Sequence, residues 1–353
     1  MASVALLVPG AIETRTGGYG YDREIERGLR AAGWDVRLVE LDSSFPEPTA
    51  EALNHAAGVL AGLPDGSAVL VDGLALGAMP AQAERERERL RLVALVHHPL
   101  ALETGIAPAR AAALEASERR SLAAVRHVVV TSERTVGALE QYGVGRDRVT
   151  VIEPGTARAP LARGSKGGSG SGAVHVVSVA AIAPRKGHDI LVRAVAKIAR
   201  QPWRLTVVGS TDRDPRAVEE LRRLVGTLGI AARVELAGEL EGPALDAAYD
   251  GADVFALASR YEGYGMAVAE AIARGLPVVS TATGAIAELT GAGGMIVPPG
   301  DDDAFAEALS RVVSEKELRQ KLAAGARDAR ERLTSWDRAS RRMAEVVSVE
   351  FQR

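Results

Sequence analysis

Residues 254–280 read VFALASRYEGYGMAVAEAIARGLPVVS and contain the pattern that decides the fold. Val254–Leu257 and Pro277–Ser280 are short apolar runs, which are typical of strands buried on both faces. Between them, the alanine-rich segment Met266–Arg274 predicts a helix, and Gly275 can adopt the left-handed conformation that ends it. A strand, a helix and a strand in 27 residues predict a parallel βαβ unit.

Similar apolar runs recur along the chain, with segments rich in Ala, Leu, Arg and Glu between most of them. The predicted strands are Val4–Val8, Val36–Leu41, Ala68–Val71, Leu92–Val96, His127–Val130, Val149–Ile152, Val174–Val179, Leu205–Val208, Val234–Leu236, Val254–Leu257 and Pro277–Ser280. The stretch GSKGGSGSG, residues 164–172, divides them into six and five and has the composition of a flexible linker. We therefore predict two doubly wound, Rossmann-like α/β domains, residues 1–163 and 173–335, that face a central ligand-binding cleft.

The composition excludes several classes of protein. The chain has 353 residues, of which 47% are hydrophobic, and its formal net charge of −3 does not indicate nucleic-acid binding. It contains no cysteine, which excludes disulfides and thiolate sites and fits the reducing cytoplasm. No run of about 18 apolar residues predicts a membrane span, and the start, MASVALLVPG, lacks the basic region of a signal peptide. Peripheral contact with the inner face of a membrane stays open.

Glycines follow the first predicted strand, in the stretch TGGYGYD at residues 16–22. Such a loop lets backbone amides approach a ligand, with the predicted helix Arg23–Ala32 behind them. The alternative is a tight strand-to-helix turn. The spacing G-x-G-x-x-G is absent, which disfavours an NAD-dependent oxidoreductase.

Two histidines, His97 and His98, follow the fourth predicted strand. A histidine at that edge of a parallel sheet could donate a hydrogen bond or move a proton, and an ordinary core or surface histidine is the alternative. Neighbouring strand residues point to opposite sides, and no nearby carboxylate completes a cluster in the sequence. We therefore predict no metal site.

Cations and carboxylates occupy two loops of the predicted second domain. Arg185 and Lys186 precede Gly187 after a strand, where two cations suit a diphosphate, although ordinary solvated basic residues are the alternative. Glu262 lies before the free amides of the next helix, and Glu270 lies about one turn inside it among apolar residues. Both carboxylates can accept hydrogen bonds from sugar hydroxyls. A helix-start acid and a solvent-facing acid are the simpler interpretation.

The segment YEGYGMAVAEAIARGLPVV, residues 261–279, resembles the Glu-x7-Glu signature of the retaining glycosyltransferases of family 4, which have the GT-B fold. The resemblance is strong over about residues 174–310. It is weaker in the first half, where it covers Gly17-Gly18 and Ala94–His97. In that family the terminal segment often crosses back, which implies that residues 336–353 pack on the first domain.

The resemblance implies a role for each matching position. Lys186 would bind the donor diphosphate, Glu262 the hydroxyls of the transferred sugar, and Glu270 the nucleotide ribose. The remaining positions are Gly238 and Glu239 at the base, the amides of Gly263, Tyr264, Gly265 and Met266 beside Glu262, Gly17 and Gly18 at the phosphates, and His97, or alternatively His98, at a sugar hydroxyl.

One position departs from the family pattern. The family usually has Gly-Arg ahead of the lysine loop, whereas this sequence has Ala180-Ala181. The arginine that would help to neutralise the leaving diphosphate is therefore missing, and Arg185 is the candidate to replace it.

We therefore predict a retaining glycosyltransferase that uses His97, Lys186 and Glu262. It would move a sugar from a nucleoside-diphosphate sugar to a hydroxyl of a glycan, a lipid-linked molecule or a small molecule, without a metal or another cofactor. One alternative is a nucleotide-sugar 2-epimerase, which needs acid–base carboxylates that the first domain does not reveal in the sequence. The other is a catalytically silent sugar-nucleotide-binding subunit, for which Ala181 is the only indication.

Overall fold

The computed structural model describes residues 2–103, 105–165 and 172–352. The chain forms two compact units. The first unit contains Met1–Gly155 and Thr334–Arg353, and the second contains Thr156–Leu333.

The first unit is built on a six-stranded sheet in which all neighbouring strands are parallel. Its strands are β1 (Ser3–Pro9), β2 (Asp35–Leu41), β3 (Ala68–Asp72), β4 (Arg91–Val96), β5 (His127–Val130) and β6 (Val149–Val151). The spatial order is β2-β1-β3-β4-β5-β6. Apolar side chains on both faces of the sheet are buried, which explains why the strands read as continuous Val, Leu and Ala runs.

The first helix of the first unit begins earlier than the sequence predicts. They are α1 (Gly17–Ala31), α2 (Ala50–Ala61), α3 (Gly73–Leu76), α4 (Pro80–Glu86), α5 (Pro108–Ala124) and α6 (Glu133–Glu140), with 3₁₀ turns at Leu100–Leu102 and Arg146–Arg148. The glycine stretch predicted as a loop before Arg23 is instead the first turn of α1. The hydroxyl of Thr16 caps this helix by accepting a hydrogen bond from the amide of Tyr19 at 3.2 Å.

The C-terminal helix α7 of the first unit (Trp336–Gln352) packs on α1. The two helices approach closely because Gly28 has no side chain: a Cβ there would lie 1.9 Å from Oγ of Ser340. Met343 is buried in the same apolar cluster as Ile25 of α1. At its start, the ring of Trp336 contacts that of Tyr21 edge-on, with 5.8 Å between their centroids.

The second unit contains another parallel six-stranded sheet. Its strands are β7 (Val174–Val179), β8 (Trp203–Val208), β9 (Val234–Gly238), β10 (Val254–Leu257), β11 (Val278–Thr281) and β12 (Gly294–Val297), in the order β12-β11-β10-β7-β8-β9. Strand β12 is absent from the predicted strands. This strand has only four residues at a sheet edge, and three of them are partly exposed, so it lacks the long apolar run of a central strand.

Helices cover the two faces of this sheet. They are α8 (His188–Lys197), α9 (Pro215–Thr227), α10 (Gly242–Asp250), α11 (Met266–Ala273), α12 (Ile286–Thr290), α13 (Asp302–Ser314) and α14 (Lys316–Arg330), with 3₁₀ turns at Pro184–Lys186, Ala231–Arg233 and Gly291–Gly293. Side chains of α8, α9 and α13 share one apolar cluster, and those of α10, α11 and α14 share another. The predicted strand–loop–helix–strand unit corresponds to β10, α11 and β11.

The division between the units differs from the predicted boundaries at residues 163 and 335. The chain leaves the first unit after Gly155, and the segment that follows is hydrogen-bonded to the second unit. The amide of Ala162 donates to the carbonyl of Arg274, and the amide of Gly164 to that of Asp250, both at 2.9 Å. The chain therefore passes from the first unit to the second before the glycine-rich stretch, so that stretch does not mark the boundary. Of the predicted linker 164–172, residues 166–171 lie outside the described residues.

None of the helices in the described ranges is both long enough and apolar enough to cross a membrane.

We expect Gly28→Ala to lower the unfolding temperature, because the new methyl group would collide with Ser340 and push α7 away from α1. Gly20→Ala in the same helix is the matched control. Its methyl group would have no neighbour closer than 3.8 Å, and alanine is the better helix former by about 0.5–1 kcal/mol. Differential scanning calorimetry of both variants checks this. Equal unfolding temperatures would show that the two helices do not pack so closely.

Candidate functional site

Two loops of the second unit touch at the carboxyl ends of β7 and β10. Gly187 follows the turn Pro184–Lys186 with φ +66°, and a Cβ there would lie 1.9 Å from the carbonyl oxygen of Ala258. Glycine is therefore required both by the left-handed backbone and by the space. This contact places Lys186 beside Glu262.

Lys186 and Glu262 form a buried ion pair. Nζ of Lys186 lies 2.7 Å from Oε1 and 2.9 Å from Oε2 of Glu262, whose exposed fraction is only 6%. The hydroxyl of Ser259 donates to Oε1 at 2.6 Å. Burial alone would raise the pKa of Glu262, but Lys186 and Arg185 outweigh it and hold the pKa below its usual value. The carboxylate is therefore charged at neutral pH.

Arg185 adds a second cation to this cluster. Its guanidinium lies 4.0 Å from Oε2 of Glu262. The loop position of the missing family arginine, Ala181, carries no charge, and it lies where Gly209 approaches the backbone closely: a Cβ on Gly209 would be 3.2 Å from Cα of Ala181. The structure thus supplies two cations here, both from the turn Pro184–Lys186.

The start of α11 lies next to this cluster in the chain. Gly265 has φ +112°, and its missing side chain leaves the first turn of α11 without a side-chain cap. Gly284 also has a positive φ, and its Cβ would lie 2.9 Å from the carbonyl oxygens of Glu262 and Tyr264. Glycines at both positions thus hold the loop Gly263–Met266 in place. Uncapped amides at a helix start favour an anion.

Glu270 lies further along α11 and has a different environment. The hydroxyl of Tyr249 donates to its Oε2 at 2.8 Å, and the guanidinium of Arg274 lies 4.4 Å from the centre of the Tyr249 ring. Burial raises the pKa of Glu270, while Tyr249 and Arg274 oppose that rise. Among the described residues, the side-chain hydrogen bond to Glu270 reaches Oε2.

The two positions predicted to contact the base, Gly238 and Glu239, lie at the edge strand β9, two strands away from β7. Gly238 is the last residue of the edge strand β9 and has φ +73°, and its carbonyl accepts from the amide of Gly209 at 2.8 Å. Glu239 follows it. The structure thus groups Arg185, Lys186 and Glu262 in one cluster, and it places Glu270 and Gly238-Glu239 separately from that cluster.

In the first unit, His97 lies against two buried carboxylates. Its Nε2 is 3.2 Å from Oδ1 of Asp22 and 3.3 Å from Oδ2 of Asp72. Asp22 is on α1 and Asp72 ends β3, and both are almost completely buried. The ring of Tyr21 contacts the imidazole edge-on at 5.3 Å between centroids. The prediction that no carboxylate lies near His97 was therefore wrong. The fold brings Asp22 and Asp72 to it from two other elements.

This cluster favours a charged histidine. Burial by itself lowers the pKa of His97, but Asp22 and Asp72 outweigh it and raise the pKa to about 10. Burial raises the pKa of Asp22 to about 7, against the lowering by His97. Because both carboxylates lie at Nε2, the ring has only Nδ1 left for a ligand. The ligand atoms of the three residues also lie within 4.8 Å of one another, a spacing that could hold a metal ion.

The other predicted residues of the first unit have distinct positions. A Cβ on Gly18 would lie 3.1 Å from Cδ2 of His97, so this glycine lets α1 approach the imidazole. Gly17 is the first residue of α1. His98 is not part of the cluster: its Nε2 lies 3.4 Å from a carboxylate oxygen of Glu103.

Sequence reasoning missed Asp22, Asp72 and Ser259. Asp72 could have been noticed as an acid that directly follows the apolar run Ala68–Val71, at the sheet edge where ligands bind. Asp22 gave a weaker signal, since a single acid near the start of a helix usually faces solvent. Ser259 lies three residues before Glu262 in a loop, where no periodic pattern applies.

Two family models match the chain. Residues 165–329 match the model described as "Glycosyl transferases group 1", and residues 67–158 match the model described as "Glycosyltransferase Family 4". The first match lies in the second unit and contains the cluster around Lys186. The second match contains Asp72 and His97.

Curated relatives are described as D-inositol 3-phosphate glycosyltransferases. The protein from Thermomonospora curvata is 33% identical over 270 residues, which cover 70% of this chain and 62% of the relative. The protein from Xylanimonas cellulosilytica is 32% identical over 235 residues, which cover 63% of this chain and 56% of the relative. The matches thus span less than two thirds of the length of these relatives.

Solved structures share the fold over the whole chain. Sucrose-phosphate synthase from Thermosynechococcus elongatus superimposes with a TM-score of 0.84 at 22% identity, and each chain is covered completely. The glycosyltransferase WaaG, involved in lipopolysaccharide biosynthesis, gives a TM-score of 0.75 at 18% identity, with 98% of this chain and 99% of WaaG covered. At these identities the similarity establishes the fold.

Fold and domain matches together define a glycosyltransferase of the GT-B fold. More particularly, its first half matches the family 4 glycosyltransferase model and its second half matches the group 1 model. The family and the fold expected from residues 261–279 are confirmed at this level.

We expect Lys186→Met to destabilise the protein by about 3 kcal/mol at pH 7, because Glu262 would remain buried and charged without its main partner. Adding Glu262→Gln should recover most of that loss, since a neutral amide needs no counter-ion. Urea unfolding of the two variants and the wild type measures the difference.

The pH dependence of this stability difference follows from the direction in which the pKa of Glu262 is shifted. The folded pKa of Glu262 lies below its usual value of 4.5, so the ion pair stabilises the wild type above that pH and loses its effect as pH falls through the folded pKa. In Lys186→Met, acidification should instead relieve the strain of an unpaired carboxylate. The gap between wild type and variant should therefore narrow below pH 4.5, and a gap independent of pH would contradict the ion pair.

Proposed function

We propose that this chain transfers a sugar from a nucleoside-diphosphate sugar to an acceptor hydroxyl with retention of anomeric configuration. The observation that carries the proposal is the cluster of Arg185, Lys186 and Glu262 beside the uncapped start of α11. Two cations and the amides of a helix start suit a diphosphate, and a charged carboxylate suits sugar hydroxyls. The match to the group 1 glycosyltransferase model supports the transfer of a sugar.

The cations act on the leaving group. As the bond between the anomeric carbon and the phosphate oxygen breaks, negative charge grows on the departing nucleoside diphosphate. Lys186, Arg185 and the amides at Gly265–Met266 would stabilise that charge, which is the main route by which such sites lower a barrier. In this proposal, donor binding changes the partner of Lys186 from Glu262 to a phosphate, and frees Glu262 for the sugar.

The remaining residues position the donor. Oε1 of Glu270 would accept from the ribose, and the backbone at Gly238 and Glu239 would contact the base. In the first unit, Gly17 and Gly18 would approach the phosphates, and Nδ1 of His97 would donate to a sugar hydroxyl. The buried carboxylates of Asp22 and Asp72 keep the His97 ring protonated and fixed in orientation.

Retention follows from attack on the face that the leaving group departs from. The acceptor oxygen forms its bond to the anomeric carbon, the phosphate oxygen leaves, and the acceptor proton passes to that phosphate oxygen. No protein nucleophile is needed in this scheme. The charges of Lys186 and Arg185 also take the part that a metal plays elsewhere, so we propose that transfer requires neither a metal nor another cofactor.

The acceptor and location are open to direct test. The relatives' description makes inositol 3-phosphate the first acceptor to try, followed by glycans and lipid-linked acceptors. We propose that the enzyme works in the cytoplasm, with contact at the inner face of the membrane as one possibility for lipid-linked acceptors.

We expect one family of UDP-, GDP- or ADP-sugars to raise the unfolding temperature of the wild type, since a ligand that binds only the folded state stabilises it.

Lys186→Ala and Glu262→Ala should each lower kcat/KM for transfer or donor hydrolysis by about 100-fold or more, the usual effect of losing a group that stabilises the transition state. Arg332→Ala, in the same unit but in the exposed turn that follows α14, is the control. Full turnover in both site variants would refute the assignment.

We expect the product to keep the anomeric configuration of the donor, as measured by proton NMR coupling constants. Excess EDTA should leave the rate unchanged. Inverted product would exclude front-face attack. Activity lost to EDTA and restored by a divalent cation would show that transfer requires a metal, for which Asp22, Asp72 and His97 are the candidate ligands.

A second candidate activity gains one observation from the structure. A 2-epimerase needs acid–base carboxylates in the first unit, and Asp22 and Asp72 are carboxylates next to His97. Incubation of the donor without acceptor in deuterium oxide distinguishes the two activities. Epimerised donor with deuterium at C2 would favour the epimerase, whereas unchanged or hydrolysed donor favours transfer.

A further inference from the structure

Arg260 lies in the loop after β10, two residues before Glu262, and it contacts the turn Pro184–Lys186. Its guanidinium donates to the carbonyl of Pro184 at 2.6 Å, and its amide donates to the carbonyl of Arg185 at 2.8 Å. One residue therefore binds two consecutive carbonyls of the turn that carries the cations of the proposed donor site.

The guanidinium of Arg260 also forms an ion pair with Asp189, in the first turn of α8. Nη1 lies 2.9 Å from Oδ1 and Nη2 lies 2.8 Å from Oδ2, so the pair is bidentate. Burial by itself would raise the pKa of Asp189, but Arg260 and backbone amides outweigh it and hold the pKa below its usual value, so the carboxylate is charged at neutral pH. Two parallel hydrogen bonds fix the plane of the guanidinium, which keeps Nη1 directed at the carbonyl of Pro184.

The position of the turn depends on such contacts because the turn is short. It is a 3₁₀ turn of three residues, closed by a hydrogen bond from the amide of Gly187 to the carbonyl of Pro184 at 3.2 Å. Hydrogen-bond geometry in such turns is poorer than in an α-helix, so neighbouring residues decide where the turn lies. These neighbours include Ala258, on which Gly187 packs, and Arg260. Both belong to the loop that carries Glu262, so this loop sets the distance between the cations and the carboxylate.

A simple surface ion pair is the alternative interpretation of Arg260, because 36% of its side chain is exposed. A single exposed pair contributes little to stability. Here the same guanidinium also binds a backbone carbonyl, and the amide of the same residue binds the next carbonyl along the chain. Loss of the guanidinium would therefore release the turn as well as Asp189.

We propose that Arg260 is a positioning residue, which fixes the turn Pro184–Lys186 on the loop that carries Glu262. It acts through Lys186 and Arg185, whose charges would meet the donor diphosphate at the place that Arg260 sets. The effect on transfer rests on the proposed function, whereas the effect on the ion pair of Lys186 and Glu262 does not.

The first test is a double-mutant cycle of Arg260→Gln and Lys186→Met, measured by urea unfolding of the intact chain at neutral pH. If Arg260 holds Lys186 against Glu262, the ion pair is already weakened in Arg260→Gln. The change that Lys186→Met makes in the unfolding equilibrium constant should then be smaller by about threefold or more in that background than in the wild type. Additive effects of the two substitutions would overturn the proposal.

Arg233 supplies a matched control in the same unit. Its guanidinium donates to the carbonyls of Ala199, Gln201 and Trp203 at 2.6–2.9 Å. It directly precedes β9 and so lies at the amino end of a strand, whereas Lys186 follows the carboxyl end of β7. Arg233→Gln should destabilise the chain without changing the effect of Lys186→Met. Coupling of equal size in this cycle would show that general destabilisation causes the non-additivity, and the proposal would fail.

The second test measures transfer and donor hydrolysis with a panel of UDP-, GDP- and ADP-sugars. Arg260→Gln and Arg260→Lys should each lower kcat by about tenfold or more, with a smaller change in the donor KM, because displaced cations stabilise less of the charge that grows on the leaving group. Lysine keeps the charge but lacks the planar fork that binds Asp189 and Pro184 together. Arg233→Gln should keep the wild-type kcat.

The contrary results are distinct. Wild-type kcat in Arg260→Gln would overturn the proposal, and wild-type kcat in Arg260→Lys would overturn it by showing that the charge alone suffices. If Arg260→Gln does not fold, Asp189→Asn loosens the same guanidinium, and its additivity with Lys186→Met would be the contrary result. A wild type that turns over none of these donors would count against the proposed function, while the double-mutant cycle would still decide whether Arg260 holds the ion pair.

Discussion

The contact between two loops at Gly187 is the constraint on which the second unit depends. The turn that carries Arg185 and Lys186 lies directly on the backbone of Ala258, at a distance that no side chain would allow. That approach places Lys186 within 2.7–2.9 Å of Glu262, where a buried carboxylate needs a cation. Backbone packing and electrostatics thus require each other: the glycine permits the ion pair, and the ion pair makes the burial of Glu262 tolerable.

The first unit also contains a buried ion cluster, but there the central group is a cation and its partners are carboxylates. There a histidine is the central group, and carboxylates on α1 and β3 surround one of its nitrogens. A small residue, Gly18, again allows the close approach. Parallel sheets bring such groups together because the ends of neighbouring strands lie at one edge, so that residues far apart in sequence become neighbours. Both units therefore present buried, charged and oriented groups at the carboxyl ends of their strands.

In the proposed reaction, these groups would have roles that follow from their charges. The cations of the second unit would act on a leaving diphosphate, Glu262 and Glu270 would accept from hydroxyls, and His97 would donate. The missing family arginine at Ala181 matters less in this arrangement, because Arg185 already lies 4.0 Å from Glu262.

The sequence by itself determined what local pattern can specify. Apolar runs between amphipathic segments gave eleven of the twelve strands and the doubly wound class, and residues 261–279 gave the family. The sequence failed where the information is not local. The strand Gly294–Val297 is too short to show a pattern, and the crossing at Gly155 is decided by which unit the following segment bonds to. Only the tertiary structure decided that Asp22, Asp72 and His97 share one cluster and that Lys186 pairs with Glu262, because these contacts join residues 25 to 76 positions apart.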